Sequence, residues 1–376
     1  MKYFIYLCLA TLIFSCDKTE DKAYHSIAEL KEVYSSGDKD NWPKPTVDSM
    51  VVDFQDIGVL PDIKFDKENE FSEKKRELGK SLFYDPRLSS SGQIACATCH
   101  DPNIGWADGK RVPFGHDRSP GSRNTLSIIN IGHLDTFFWD GRAANLAEQA
   151  KAAIENPIEM NHDMDSVVMT IQNIAGYKPY FEEVYGDDKI SEDQILDAII
   201  TFERTIVSRK SRFDKFIAGD STKLSNQEVQ GLHLFRTKAR CINCHNSALF
   251  TDQQFHNLGL SYYGRKYEDL GRYAVTNAAA DVGKFKTPSL RELKHTAPYM
   301  HNGLFPHLEG VLNMYNAGMA TLKPSKKQET DPLFPTKSKL LKELDLDQNE
   351  LEALEAFLNS LSSTIYRERP PERLPQ

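Results

Sequence analysis

The chain carries the pentapeptide CxxCH twice, as Cys96-Ala97-Thr98-Cys99-His100 and as Cys241-Ile242-Asn243-Cys244-His245. This is the attachment signature of a c-type haem. Two thiols at that spacing bond to the haem vinyl groups, and the adjoining histidine falls beneath the iron as its proximal ligand. Two motifs therefore predict two haems and a chain that handles electrons. One motif lies in each half of the 376 residues, which predicts two domains, each wrapped around one haem. Paired CxxC motifs can also build a tetrahedral zinc site. The histidine directly after each second cysteine favours haem.

The other cysteines point to export. Cys8 lies in an apolar run from Tyr3 to Phe14 that follows Lys2, the pattern of a signal peptide. Cys16 follows Ile13-Phe14-Ser15, which resembles a bacterial lipoprotein cleavage site. Residues 1–16 read as a lipoprotein signal; cleavage there removes Cys8, leaves Cys16 to carry lipid, and leaves no pair for a disulfide. The run is too short to span a bilayer comfortably. The expected location is periplasmic or membrane-anchored, which agrees with c-type haem attachment outside the cytoplasm. A net charge of -8 argues against nucleic acid and against a polybasic membrane patch.

Residues 17–70 are polar, with Pro43 and Pro45 and little periodicity, and read as a tether, part of which can drape over the folded domains. Order is expected from Ser72, a helix N-cap followed by Leu78, Leu82 and Phe83 at helical spacing. Ser191 with Gln194, and Ser225 with Glu228, form capping boxes. Asp347 and Glu350 open a last helix, with Leu351, Leu354, Leu358 and Leu361 on one side. Strand signals are sparse. The fold class is mostly α, with two cytochrome c-like domains at 71–210 and 211–376.

The surroundings of the motifs carry a resemblance. Leu78-Gly79-Lys80-Ser81-Leu82-Phe83, Asp85-Pro86-Arg87-Leu88-Ser89, Phe138-Trp139-Asp140-Gly141-Arg142-Ala143 and Asn156-Pro157-Ile158-Glu159-Met160 resemble the bacterial dihaem cytochrome c peroxidase and MauG family. So do Phe285-Lys286-Thr287-Pro288-Ser289-Leu290-Arg291 and Thr296-Ala297-Pro298-Tyr299-Met300-His301-Asn302-Gly303. The resemblance implies that the first domain is peroxidatic and the second transfers electrons. It implies His100 and His245 as proximal ligands, Glu159 as the catalytic acid–base, and Gln149 as the distal glutamine. Trp139 is then the relay between the haems, and His116 a loop histidine that caps the first iron in some redox states. Asn124, Thr296 and Pro298 match the oxygen ligands of a calcium ion between the domains.

The sequence departs from the peroxidase pattern at the sixth ligand of the second haem. Peroxidase members supply methionine, whereas the matching position here is Tyr315, as in MauG-type members. Met314, Met300 and Met319 lie nearby. Met314 and Tyr315 differ by about 100° around a helix, so they cannot both face the iron. The implied function is reduction of hydrogen peroxide with electrons from a donor such as a cytochrome c. The alternatives are a MauG-like oxidase of a protein or organic substrate, and a dihaem electron carrier. A homodimer is among the expected states.

Overall fold

The computed structural model describes residues 26–65, 67–187, 189–364 and 367–376. The lipoprotein signal and Cys16 lie outside the described residues. Among these, the helices are α1 (Ile27–Tyr34), α2 (Glu73–Phe83), α3 (Cys96–Cys99), α4 (Leu146–Glu155), α5 (Met164–Gln172) and α6 (Lys178–Tyr185). They continue with α7 (Glu192–Arg204), α8 (Arg212–Ile217), α9 (Asn226–Arg236), α10 (Tyr273–Thr276), α11 (Leu308–Asn316) and α12 (Gln348–Ser360). The strands are β1 (Phe255–Asn257) and β2 (Lys284–Lys286), paired antiparallel with Phe255 opposite Lys286.

Each half is organised by one helix crossing, α2 with α7 and α9 with α12. Both pairs start where local chemistry satisfies the first backbone N–H groups. Ser72 accepts from Lys75 N, and Ser191–Gln194, Ser225–Glu228 and Asp347–Glu350 form reciprocal capping boxes. A glycine sits at each crossing. A methyl group on Gly79 would be driven into the Ala198 carbonyl and against Phe202, and one on Gly231 into the Ala353 carbonyl and against Phe357. Glycine lets the two backbones meet there, and the flanking apolar residues close around the contact.

Two apolar cores follow. One runs from Leu78 to Ile206. The other gathers residues from Phe213 to Leu361, together with Leu30, Tyr34, Trp42 and Ile57. Those last four lay residues 26–65 of the expected tether over the second domain. Helix α1 is a capped helix packed on α9. Arg236, 1 % exposed, pairs with Asp56 and donates to the Pro43 carbonyl at 2.6 Å. Arg291, also 1 % exposed in its side chain, donates to the Gly58 carbonyl at 2.8 Å and pairs with Asp214 at 3.0 Å. Buried arginine donors need acceptors, and the arm's backbone supplies two of them. Its apolar anchors are too widely spaced to produce periodicity.

Candidate active site

Each motif histidine is fixed in the same manner. His100 Nδ1 lies 3.0 Å from the Trp106 carbonyl oxygen, and His245 Nδ1 lies 3.0 Å from that of Phe250. An Nδ1–H bond to a backbone carbonyl sets the tautomer and leaves the Nε2 lone pair as the ligand atom. Burial lowers the pKa of both imidazoles, favouring the neutral form that binds metal. In both motifs the histidine N–H closes a turn onto the first cysteine's carbonyl, His100 to Cys96 and His245 to Cys241. The four motif cysteines are free thiols. Burial raises Cys96, Cys99 and Cys241, as suits sulfurs that end as neutral thioethers.

Both motifs open on one continuous cavity of about 700 Å³. Ile128, Ile154 and Ile199 belong to the wall near the first motif, and Leu249, Leu312 and Leu358 to the wall near the second. A large, mostly apolar cavity with a tautomer-fixed histidine and two unpaired sulfurs at each end fits haem c at both motifs.

Gln149, on α4, and Glu159, in the turn after it, line the cavity with His100. The Gln149 side-chain oxygen is buried without a hydrogen-bond partner among the described residues. Glu159 accepts from Asn156 Nδ2 at 2.7 Å. Desolvation raises its carboxyl above the ordinary range, against the opposing pull of Arg142 and the Asn156 bond. An amide oxygen without a donor and a carboxyl of raised pKa therefore share one cavity with the motif histidine His100.

The profile of the di-haem cytochrome c peroxidase family matches residues 73–222. The methylamine utilization protein MauG of Methylophilus methylotrophus is 38% identical over 307 residues, 81% of this chain and 87% of that one. The chain belongs to the di-haem cytochrome c peroxidase and MauG family. The cytochrome-c peroxidase IdrP1 of Pseudomonas sp. (strain SCT) is 35% identical over 335 residues, 81% of this chain and 85% of that one. A solved MauG-like protein associated with microbial copper homeostasis aligns with TM-score 0.72 and 29% identity, covering 84% of this chain and 95% of that one.

The other residues that the family pattern singles out fall into four groups. Trp139 is buried and belongs to neither of the two cores. Its Nε1 donates to the Asn124 carbonyl at 2.9 Å, and its carbonyl accepts from Lys286 N. Its ring meets His301 edge-on at 6.3 Å between centroids, and His301 stacks on Phe285 at 3.5 Å. Arg123 braces this block by pairing with Asp140 at 2.6 Å and Asp269 at 2.7 Å. Asn124 donates from Nδ2 to the Lys110 carbonyl at 2.8 Å, which leaves Oδ1 as an available acceptor. Asn124, Thr296 and Pro298 all line the cavity. Side-chain and carbonyl oxygens of this kind fit a hard cation.

In the second half of the chain, Tyr315 and Met300 line the cavity, whereas Met314 and Met319 are not part of that wall. Desolvation raises the Tyr315 hydroxyl first, and the two motif sulfurs add to it. His116 is held by its backbone to the Glu159 carbonyl at 2.8 Å. Its ring lies 3.5 Å from Ser90 Oγ and 3.5 Å from Asp117 Oδ2, outside the cavity wall. The loop reaches the site through Gly115, where a side chain would collide with the Ile158 carbonyl and the Glu159 backbone.

Sequence reasoning missed two groups. Cys244, Asp252 and His256 converge, with possible ligand atoms within 4.8 Å of one another. Attachment of haem would consume the Cys244 sulfur and leave the His256–Asp252 pair, which lies at 2.8 Å. Glu203 lines the cavity from α7. Its signal was available, because Ile195, Ile199 and Glu203 recur at four-residue spacing on the apolar stripe of that helix.

Proposed function

We propose that the protein is a dihaem peroxidase that reduces hydrogen peroxide to water with electrons from an external donor of the cytochrome c class. The observation that carries this is the meeting of Gln149 and Glu159 in the cavity that His100 lines. Haem c held at Cys96, Cys99 and His100, and at Cys241, Cys244 and His245, supplies the redox-active iron. Gln149 orients peroxide by hydrogen bonding. Glu159 takes the proton from one peroxide oxygen and returns it to the other, general acid–base work for which a raised carboxyl is suited. Two further protons and two electrons complete the conversion to two waters. The second domain receives the electrons, and Trp139 lies on the route between the halves. The apolar wall keeps bulk water from the reacting oxygens.

Asn124, Thr296 and Pro298 would hold one calcium ion that ties the two domains together. His116 would cap the first iron only after its loop turns the ring inward. Export with a lipid on Cys16 would place the enzyme on a membrane surface facing the periplasm.

Tyr315 favours a second reading. A tyrosinate ligand stabilises the oxidised state of iron, lowers its potential and opposes uptake from a high-potential donor. A MauG-like oxidase that draws electrons from a protein or organic substrate would use that property.

The test is peroxide consumption by the haem-loaded protein with reduced cytochrome c as donor. Stoichiometric oxidation of two donor molecules per peroxide is the expected result. A protein that is six-coordinate at both irons in every oxidation state, and inert to peroxide, would overturn the reading in favour of an electron carrier.

A further inference from the structure

The glycine crossings place the two domains in register. Gly79 meets Ala198 and Phe202, and Gly231 meets Ala353 and Phe357. The residue after each phenylalanine then occupies the same position in its domain. In the second domain this is Leu358, and in the first it is Glu203. Both side chains line the cavity. Leucine is the expected occupant of an apolar haem wall. Glu203 is 4% exposed, and its Oε2 is buried without a hydrogen-bond partner among the described residues. An ionisable group so placed needs a reason, because a buried unpaired carboxylate is costly.

We propose that Glu203 is the proton-holding group of the first haem domain: its carboxyl takes up one proton when the His100 haem gains one electron, and releases it when that electron leaves. The electron comes from the external one-electron donor, and the proton comes from solvent and forms the O–H bond of the neutral acid. The physical basis is charge balance. Adding negative charge beside a carboxylate in a low-dielectric cavity is opposed by Coulomb repulsion, and protonation removes it.

The surroundings leave Glu203 free to do this. Desolvation pushes it up to about 8, with no charged neighbour contributing. Arg76 of α2 is engaged by Glu73, Glu77 and Glu368. Lys151 of α4 pairs with Glu192 at 2.7 Å. His133, in the turn packed on α7, is lowered by desolvation and then by Arg291. Arg204 follows Glu203 on the helix, points about 100° away and packs over Gly132. Cys96, which feels the Glu203 charge, loses its titratable proton on attachment of haem.

The inference rests on the His100 motif carrying haem, and not on peroxide being the substrate. Its test is a redox titration of the haem-loaded full chain from about pH 6 to about pH 9, a window spanning the raised carboxyl. In the wild type, the reduction equilibrium of the His100 haem is expected to fall by up to tenfold per pH unit, about 59 mV for one electron. Glu203→Gln and Glu203→Leu should both flatten that slope. The His245 haem in the same sample should keep its own pH response in all three proteins. Glu203→Leu, which copies Leu358, serves if the buried amide impairs folding. Either variant, loaded with two haems and keeping the wild-type slope, overturns the proposal, as does a wild type with no slope.

Discussion

In the first domain the cavity wall carries Gln149, Glu159 and Glu203; in the second it carries Tyr315, Met300 and Leu358. The frames around them are alike. Both have a capped helix ahead of CxxCH, a glycine where two helices meet, and a motif histidine tied through Nδ1 to a carbonyl at 3.0 Å. The shared parts frame the motif histidines, and the parts that differ are side chains of the cavity wall: an amide and two carboxyls in the first domain, a phenol, a thioether and a hydrocarbon in the second. On the proposed reading, chemistry that moves protons would belong to the first domain and transfer of electrons to the second.

The largest effect should come from Glu159→Gln. Removing a positioned acid–base should cut kcat/KM for peroxide by about 10²–10⁴-fold, with both haems still attached. Because burial raises the Glu159 carboxyl, its conjugate base forms only above the ordinary glutamate range. The wild-type rate should therefore rise with pH along a limb displaced upward, and that limb should vanish in the variant. Full turnover in Glu159→Gln would remove the distinction between the domains.

Tyr315→Met should shift the reduction equilibrium of the His245 haem by more than tenfold towards the reduced state, since thioether favours ferrous iron. The His100 haem should stay where it was. An unchanged potential would transfer the ligand role to Met300 or leave the position to another group.

Alanine at Gly79 or at Gly231 should destabilise by about 1–3 kcal/mol or more, as overpacking of a tight contact does. Calorimetry should show the same cost in both, because each added methyl meets a backbone carbonyl and a phenylalanine. Unequal costs would show that the two crossings are not equivalent. Asp56→Asn should cost about 1.5–3 kcal/mol, the scale of a hydrogen bond to a charged group. That loss should fall on the second domain, where Arg236 is buried.

What could be read from the sequence was what is local. The CxxCH turns and the capping boxes rest on residues three or four apart, and the capping boxes formed as expected. Glu203 was equally local but stood inside an apolar stripe, where a single charged residue is easily passed over. The arm over residues 26–65 was not legible. Its anchors Leu30, Tyr34, Trp42 and Ile57 follow no period, and its acceptors are backbone carbonyls used by Arg236 and Arg291, far along the chain. The position of His116 depends on a loop held against Glu159 by one backbone bond, which no spacing rule encodes.

The fastening of that arm sets a distance. From Cys16, the proposed lipid carrier, to Ser26 is ten residues, which reach no further than about 36 Å when fully stretched. A loose strand running on to Glu70 would have allowed roughly five times that span. With a lipid on Cys16 the leash would be short, and the domain it is strapped to would ride close over the bilayer. Whatever delivers reducing equivalents would then have to reach the enzyme at the lipid surface rather than meet it in open solution.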